Sequence, residues 1–358
     1  MILNKNDYLI SVIIPLFNGE NVIKNNLTNL MNQTMKFENI EILLIDDCST
    51  DETLKIIEKY SKEYNNIKIT HLNENHGSPS DSRNIGIKKA SSEYIMFLDQ
   101  DDYYLNDMCK TMYEKIKKEK VDFISCLYYF NSEKNIETAQ TEPNHLKKYG
   151  PELKISNIKE FPIIYESYSS HIKMIWNKIY NKSFLIKNDI TFPKKCLAED
   201  LYFNVQCFFN GKFILLNNYF GYFQINHPDS TSHTSSEKNL YKFVCGYKKI
   251  FEYLTNQNYK IPKIISNQIV YWTLLFLENN LSYKKQKNLL NYSQPLYSIF
   301  NSQNKILQPS LLISLQNIFI RLFSYNINIS IIFTYLFKLF KINKILQKIY
   351  KIHNSNLK

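Results

Sequence analysis

Glycine is scarce in this chain: there are seven among 358 residues, and none of them forms a recognisable phosphate-binding loop. Neither G-x-G-x-x-G nor G-x-x-x-x-G-K-[ST] occurs, so nicotinamide-dependent and P-loop chemistry are not supported. The G-x-S-x-G elbow that presents a nucleophilic serine is also absent. The composition is 44% hydrophobic and 15% aromatic, which is typical of a globular protein, and the length suits two folded units.

Disulfide, metal-binding and export patterns are missing as well. The six cysteines form no C-x-x-C pair and no Cys/His cluster at zinc-ligand spacing, which predicts reduced cysteines in a cytoplasmic chain. The N-terminal stretch MILNKNDYLISVIIP has an acid, an early proline and no small-residue cleavage site, so no signal peptide is predicted. No window of about 18 residues lacks polar side chains, so no membrane-spanning helix is predicted either.

Acidic residues are absent from the end of the chain. From 279 to 358 there are ten lysines, one arginine and no acid, which accounts for the whole net charge of +11. The rest of the chain is therefore neutral overall, and the basic character belongs to this segment alone.

Part of the basic segment has the pattern of an amphipathic helix. Lys341, Lys344, Lys348 and Lys351 recur at steps of three or four, so they share one helical face, with aliphatic residues on the other. This pattern predicts docking on an anionic membrane surface, peripheral to the inner face of the cell membrane. The alternative is that the aliphatic face packs against the rest of the chain or against a second subunit, as in a homo-oligomer. Nucleic acid is not an expected partner, because aromatic residues do not interleave with the lysines.

Four apolar runs in the first hundred residues alternate with helical stretches. The runs are LISVIIPLF (9–17), IEILLIDD (40–47), IKITHL (67–72) and YIMFLD (94–99). Continuous apolar runs separated by helices predict βαβ units and a mostly parallel sheet that is covered on both faces. Ser49 or Thr50 is predicted to cap the second helix, and Pro79 is predicted to stand near the start of the third.

Polar residues follow each of these predicted strands. In open α/β sheets ligands bind at the carboxyl ends of the strands, so the four ends are expected to line one crevice. The last strand is followed by three carboxylates, Asp99, Asp101 and Asp102. Close carboxylates need a counter-charge, which Mg²⁺ or Mn²⁺ can supply together with substrate phosphates. The alternative is a solvated turn in which Asp102 caps the next helix.

The second part of the chain has fewer regular patterns. VDFISCLYYF predicts a strand, AEDLYFNVQCFFNG predicts an amphipathic helix that ends at Gly211, and FILLNNYFGYFQIN predicts a strand or a hairpin. Beyond residue 237 the pattern is helical.

Five segments in this order resemble family 2 glycosyltransferases with the GT-A fold. SVIIPLFNGE, LLIDDCSTDET, NENHGSPSDSRNIGI and YIMFLDQDD resemble the nucleotide-binding half, and WNKIYNKSFLIKNDITFPKKCLAEDLYF resembles the acceptor half. The resemblance implies an α/β, Rossmann-like GT-A domain with a mostly parallel sheet at 1–235, followed by a basic helical region at 236–358. Within the domain, 1–115 would bind the nucleotide-sugar and 116–235 the acceptor.

The resemblance also implies roles for single residues in binding the donor. Pro15 and Phe17 would hold the base, Phe17 by stacking on it. Asp47 would accept a hydrogen bond from the uracil N3–H group, which favours a UDP-sugar. Asn75 and Arg83 would lie against the base and the diphosphate.

The remaining roles concern the ribose, the metal and the acceptor. Asp99 would contact the ribose, Asp101 would bind Mn²⁺ or Mg²⁺, and Asp200 would act as the general base. The family often has an arginine where Gln224 stands here, so His227 is considered as a metal ligand, with His233 and a solvated loop histidine as alternatives.

Together these residues imply an inverting, metal-dependent hexosyl- or N-acetylhexosaminyltransferase. The donor would be a UDP-sugar, and the acceptor a hydroxyl group of a glycan or of a lipid-linked, cell-surface polymer. One alternative is a non-catalytic sugar-nucleotide-binding partner in polysaccharide assembly, which would not need Asp200. A nucleotidyltransferase would need a basic, glycine-rich loop after the first strand, and PLFNGE is not one.

Overall fold

The first part of the fold consists of four parallel strands with helices between them. The computed structural model describes residues 8–131, 135, 137, 139–141, 150–156, 171, 173–226 and 237–259. The strands are β1 (Ile10–Leu16), β2 (Ile40–Asp46), β3 (Ile67–His71) and β4 (Tyr94–Phe97). The helices are α1 (Ile23–Met31), α2 (Thr53–Glu63) and α3 (Pro79–Lys89), and a short 3₁₀ helix (Phe37–Asn39) precedes β2.

The second part adds elements of more varied length. The strands are β5 (Tyr103–Tyr104), β6 (Phe123–Asn131), β7 (Gln140–Thr141), β8 (Glu152–Ile155), β9 (Lys178–Asn181) and β10 (Phe213–Ile225). The helices are α4 (Met108–Glu119), α5 (Lys182–Lys187), α6 (Glu199–Asn210) and α7 (Glu237–Asn256). The segment predicted as a strand or hairpin is the single strand β10, and the amphipathic pattern before it is α6.

The strands of both parts form one sheet, in which eight follow the order β3-β2-β1-β4-β9-β6-β10-β5. Of the other two, β7 pairs with β6 and β8 pairs with β10. The neighbours β3, β2, β1 and β4 are parallel, as is the pair β6 and β10. Strand β9 runs antiparallel to both β4 and β6, so it joins these two parallel groups. The predicted parallel βαβ arrangement is thus confirmed for β1 to β4. The apolar runs of β1, β2 and β4 are buried, whereas β3 at the end of the sheet order is largely accessible.

Helix α3 packs tightly on strand β1. A Cβ atom at Gly86 would lie only 2.4 Å from Ile13 Cγ2, so α3 can approach β1 this closely only because residue 86 has no side chain. The start of α3 agrees with the prediction: Pro79 is its first residue, and the Ser78 hydroxyl accepts a hydrogen bond from the Ser80 N–H at 3.3 Å. The close packing fixes where Arg83, one turn before Gly86, can place its side chain.

The predicted cap of the second helix is wrong. Helix α2 begins at Thr53, and its N-cap residue Glu52 makes no capping hydrogen bond through its side chain. The Ser49 hydroxyl instead contacts the Asp46 carboxylate and accepts the Asn18 N–H at 2.9 Å. A side chain that could have capped the helix therefore serves to tie together the loops after β1 and β2.

The chain divides into two compact units. One comprises Met1–Lys195 and Glu199–Pro228, and the other comprises Cys196–Ala198 and Asp229–Lys358. The predicted boundary between 235 and 236 falls outside the described residues. Across the described ranges, no helix has the length and apolar character needed to cross a membrane.

The expectation that all six cysteines are reduced is wrong for one pair. In the second unit, Cys196 and Cys245 form a disulfide with a Cα–Cα distance of 5.5 Å. They are 49 positions apart, so their spacing gives no local signal of pairing. The other cysteines are not in disulfides.

Candidate active site

The loop after β1 is held by side chains from two neighbouring loops. Phe17 is 44% exposed, and its backbone N–H donates to Gln100 Oε1 at 3.0 Å, while Gln100 Nε2 donates to the Phe17 carbonyl at 3.2 Å. Asn18 has a left-handed φ of 49°, and its Oδ1 accepts the Thr50 N–H at 2.9 Å. The aromatic ring that was predicted to stack on a base thus stands exposed on a loop with a fixed backbone.

Asp47, at the end of β2, lies beside Asn75 and His76. Asn75 Nδ2 donates to the Asp47 carbonyl at 3.0 Å. The buried Asp47 carboxylate accepts the His76 N–H at 3.1 Å and contacts His76 Nδ1 at 2.9 Å. This hydrogen bond is the main cause that raises the pKa of His76 above its ordinary value. The structure therefore brings two of the predicted base-binding residues together and adds His76, which the sequence reasoning did not single out.

The turn after β4 is stabilised from within the domain. Asn26 of α1 is buried, and its Nδ2 donates to the carbonyls of Asp99 at 3.1 Å and Asp102 at 3.2 Å. Asp101, between these two residues, is partly exposed. The buried amide of Asn26 thus fixes the backbone on both sides of Asp101.

Asp102 differs from the other carboxylates of this turn because it faces the protein interior. It is 3% exposed, it accepts the Tyr222 hydroxyl at 2.8 Å, and it accepts the Ile225 N–H at 2.7 Å. Burial first, and then the charges of Asp99 and Asp101, raise its pKa well above the ordinary value. Asp102 thus connects the turn to β10, and it neither caps a helix nor lies in solvent.

Arg83 joins carboxylates from two distant parts of the chain. Its Nη2 donates to Asp99 Oδ1 at 2.8 Å, and its Nη1 donates to Asp200 Oδ1 at 2.8 Å. Glu199 Oε1 lies 3.7 Å from Nη1, and the Arg83 side chain is only 4% exposed. Burial opposes the charge of Arg83, but the three carboxylates outweigh it and raise its pKa. The guanidinium therefore stays charged and holds the cluster together.

Asp200 lies in the first turn of α6. Burial raises its pKa to about 7; the charge of Arg83 opposes this shift, and the charge of Glu199 reinforces it. A carboxyl group with a pKa near neutral pH is suited to accept a proton during catalysis. The side chain remains 21% exposed, so one edge of it is accessible to a substrate.

A buried lysine lies behind this cluster. Lys178 of β9 has no exposed surface, and its Nζ donates to the Met174 carbonyl and to Asn177 Oδ1. Burial lowers its pKa to about 7, and the nearby Cys126, Cys207 and Asp200 oppose this shift. Sequence reasoning missed Lys178, because a lysine in the segment WNKIY gives no sign of complete burial.

We expect the free energy of unfolding to rise less steeply with pH in Lys178→Met than in the native chain. Burial lowers the pKa of Lys178 to about 7 in the fold, whereas the pKa of a lysine in an unfolded chain is about 10.4. Between these values the unfolded chain binds more protons, so the native protein gains up to about 1.4 kcal/mol per pH unit. Urea unfolding at about pH 7 and about pH 9 measures this slope. Lys187→Met, at an exposed position of α5, is the matched control, and equal slopes in native chain and Lys178→Met would contradict the prediction.

The residues that could hold a divalent cation are few. Across the described ranges, no three His, Cys, Asp or Glu side chains form a metal-ligand group. Mg²⁺ and Mn²⁺ are commonly bound by one or two carboxylates together with substrate phosphates. The partly exposed Asp101 suits such a site, in which the diphosphate supplies further oxygen ligands. His227, the other predicted ligand, and His233 lie outside the described residues.

Comparisons with known proteins show which family this chain belongs to. A model of glycosyl transferase family 2 matches residues 11–186. The poly(ribitol-phosphate) beta-N-acetylglucosaminyltransferase TarP of Staphylococcus aureus is 30% identical over 236 residues, which are 64% of this chain and 67% of TarP. The chain belongs to glycosyl transferase family 2. This confirms the resemblance that the five sequence segments indicated.

Two other relatives of this family 2 chain are much longer than it is. TarS of Staphylococcus aureus, another poly(ribitol-phosphate) beta-N-acetylglucosaminyltransferase, is 32% identical over 201 residues, which are 56% of this chain and 32% of TarS. The poly(ribitol-phosphate) beta-glucosyltransferase of Bacillus spizizenii is 31% identical over 217 residues, which are 60% of this chain and 32% of that protein. The matched part is thus about one third of each of these two proteins.

The crystal structure of Staphylococcus aureus TarS 1-349 in complex with UDP-GlcNAc has a similar fold. The TM-score is 0.65 at 22% sequence identity, over 90% of this chain and 89% of that one. The complex of the same fragment with UDP gives a TM-score of 0.63. The likeness confirms the predicted GT-A fold for this family 2 chain.

Proposed function

We propose that this chain is an inverting glycosyltransferase that moves a hexosyl or N-acetylhexosaminyl group from a UDP-sugar to a hydroxyl group of a cell-surface polymer. One observation carries the proposal: a single buried guanidinium, that of Arg83, contacts Asp99 at the end of β4 and Asp200 at the start of α6. The first carboxylate belongs to the predicted donor side and the second to the predicted acceptor side. Family membership and the UDP-GlcNAc complex of TarS support the choice of donor.

The reaction follows from the placement of Asp200. Its carboxylate takes the proton of the acceptor hydroxyl, whose oxygen attacks the anomeric carbon from the face opposite the leaving group. The bond between that carbon and the diphosphate oxygen breaks, and its electron pair leaves with the diphosphate. A single displacement of this kind inverts the anomeric centre and requires no covalent intermediate.

The donor would lie along the carboxyl ends of β1, β2 and β4. The exposed Phe17 ring offers a stacking surface for the base, and Asp47 offers carboxylate oxygens to the base N3–H. An ionised carboxylate has about four lone-pair positions, so Asp47 can accept a further donor beside His76. Asn75, held on the Asp47 carbonyl, lies next to this position.

In the proposed reaction, Asp101 would be the protein ligand of a divalent cation. When bound there together with the diphosphate, Mn²⁺ or Mg²⁺ would stabilise the negative charge that develops on the leaving group. The backbone around Asp101, fixed by Asn26, would keep the carboxylate in place. The names of the relatives TarS and TarP specify poly(ribitol-phosphate) as their acceptor. This polymer is a candidate for the acceptor of the present chain.

A donor screen tests the proposal. The purified chain is incubated with Mn²⁺, a ribitol-phosphate polymer or a lipid-linked glycan, and each of a set of UDP-, GDP- and TDP-sugars, and released nucleoside diphosphate is measured. We expect release from a UDP-sugar together with acceptor-dependent product of inverted anomeric configuration. Donor binding without release under every condition would favour a non-catalytic sugar-nucleotide-binding partner instead.

The basic segment from 279 to 358 lies outside the described residues, and its role remains a proposal. We propose that its lysines bring the enzyme to an anionic, cytoplasmic membrane face where such polymers are built. Each basic residue near an anionic surface contributes about 1 kcal/mol to the free energy of membrane binding. We therefore expect a measurable contribution from Lys341, Lys344, Lys348 and Lys351.

We expect the full chain to sediment with vesicles in proportion to their anionic lipid content. A chain ended at about residue 325, or one with the four lysines replaced by glutamine, should lose most of this binding, because each lost charge removes about 1 kcal/mol. Equal binding by the shortened chain would show that the part beyond about residue 325 does not dock on the membrane, and packing of its aliphatic face against protein would become the better explanation.

A further inference from the structure

The guanidinium of Arg83 contacts both Asp99 and Asp200. We infer that Arg83 is a positioning residue for Asp200: its guanidinium fixes the orientation of this carboxylate, favours its ionised form and links it to Asp99. The inference rests on the proposed function, and it replaces direct binding of the diphosphate as the role of Arg83.

The guanidinium is held from several sides. Its two terminal nitrogens each donate to a carboxylate oxygen at 2.8 Å. The Phe192 ring lies 5.4 Å from the guanidinium carbon, and the Phe192 backbone is anchored to Asn84, the neighbour of Arg83, by two hydrogen bonds of 2.9 Å. Because α3 is also packed against β1 at Gly86, the guanidinium has little freedom to move.

The same geometry argues against a diphosphate contact. Only 4% of the Arg83 side chain is exposed, and both terminal nitrogens already donate to Asp99 and Asp200. An arginine that binds phosphate presents a planar pair of N–H groups to its ligand. Here Nη1 and Nη2 donate to two different carboxylates. Nε has no hydrogen-bond partner among the described residues, but it is buried and so offers no surface to a phosphate.

Several charged or titratable groups face Asp200. From α3, the charge of Arg83 lowers the pKa of Asp200, whereas Glu199 of α6 and Asp99 after β4 raise it. From β9, Lys178 lowers it, and Tyr180 also lies within electrostatic reach. Arg83 is the largest of the influences that favour the ionised form, so its removal should have the largest effect.

Without the charge of Arg83, Asp200 would hold its proton more tightly, and the acidic limb of the kcat profile would move to higher pH. Without the charge of Glu199, Asp200 would lose its proton more readily, and the limb would move to lower pH. Below the pKa of a required base, turnover falls about tenfold for each pH unit.

The experiment compares Arg83→Gln, Arg83→Lys and Glu199→Gln with the native chain by the pH dependence of kcat and by the donor KM. We expect turnover of Arg83→Gln to fall at least about tenfold at neutral pH and to recover as the pH is raised. The conservative Arg83→Lys should recover part of the loss, because it keeps the charge without the planar fork. Glu199→Gln should shift the limb in the opposite direction.

Carbon-13 NMR of aspartate-labelled protein gives a second readout that does not need turnover. Asp200→Asn assigns the Asp200 carboxyl signal, and circular dichroism shows which variants are folded. Opposite shifts of this titration in Arg83→Gln and Glu199→Gln, with a smaller shift in Arg83→Lys, support the inference even if no donor is turned over, in which case the proposed function alone fails. A raised donor KM with an unchanged kcat profile and an unmoved Asp200 titration would overturn the inference and show that Arg83 binds the donor.

Discussion

Replacing Asp200 with asparagine should lower turnover by roughly 10²–10⁴-fold, the usual contribution of a general base, while the donor still binds. Asparagine has nearly the same shape and keeps an oxygen that can accept the Arg83 N–H, so the cluster of Arg83, Asp99 and Glu199 should survive. What is lost is the ability to take a proton from the acceptor hydroxyl. Steady-state kinetics measure the loss of turnover, and calorimetric titration with a UDP-sugar measures donor binding.

Glu199→Gln is the matched control, because it removes a carboxylate from the same turn of α6. Acidic residues at a helix N-terminus also stabilise the helix dipole, and a purely structural role of this kind would affect both variants alike. A general base, in contrast, is lost in only one of them. If donor affinity in Asp200→Asn falls together with turnover, Asp200 belongs to the donor site or to the framework of the domain.

The strands of the nucleotide-binding half were predictable because their signal is local. A run such as LISVIIPLF lies between two layers of helices, so nearly every side chain in it must be apolar, and β1 is buried along most of its length. The ends of the strands were predictable for the same reason, since a change from apolar to polar residues marks the point where the chain leaves the core. The positions of Asp47 and Asp99 follow from this change.

The partners of the site residues were not predictable in the same way. Asp102 and Asp101 are adjacent carboxylates in the sequence, yet Asp102 is buried because Tyr222 and Ile225 reach it from more than a hundred residues further along the chain. The contact of Arg83 with Asp200 likewise spans 117 positions. The periodicity and composition of a sequence indicate the role of a residue within its own helix or strand. They do not indicate hydrogen bonds to residues more than a hundred positions away.

Replacing Asp101 with asparagine should remove the metal-dependent part of turnover. A cation at the diphosphate contributes several kcal/mol of charge stabilisation in the transition state, so the loss should be about 10²-fold or more. Asparagine offers a neutral oxygen in place of a carboxylate and binds Mn²⁺ or Mg²⁺ far more weakly. Titration of activity with Mn²⁺ in the native chain and the variant measures the effect.

Asp107→Asn is the matched control for this last prediction, because Asp107 is an exposed carboxylate close to the same turn, just before α4. It should leave the dependence of turnover on Mn²⁺ as it is in the native chain. The Asn26 hydrogen bonds go to the backbone carbonyls of Asp99 and Asp102, so they do not depend on the side chain at 101, and the turn should keep its shape in Asp101→Asn. A folded Asp101→Asn variant that responds to Mn²⁺ as the native chain does would show that the cation is bound elsewhere.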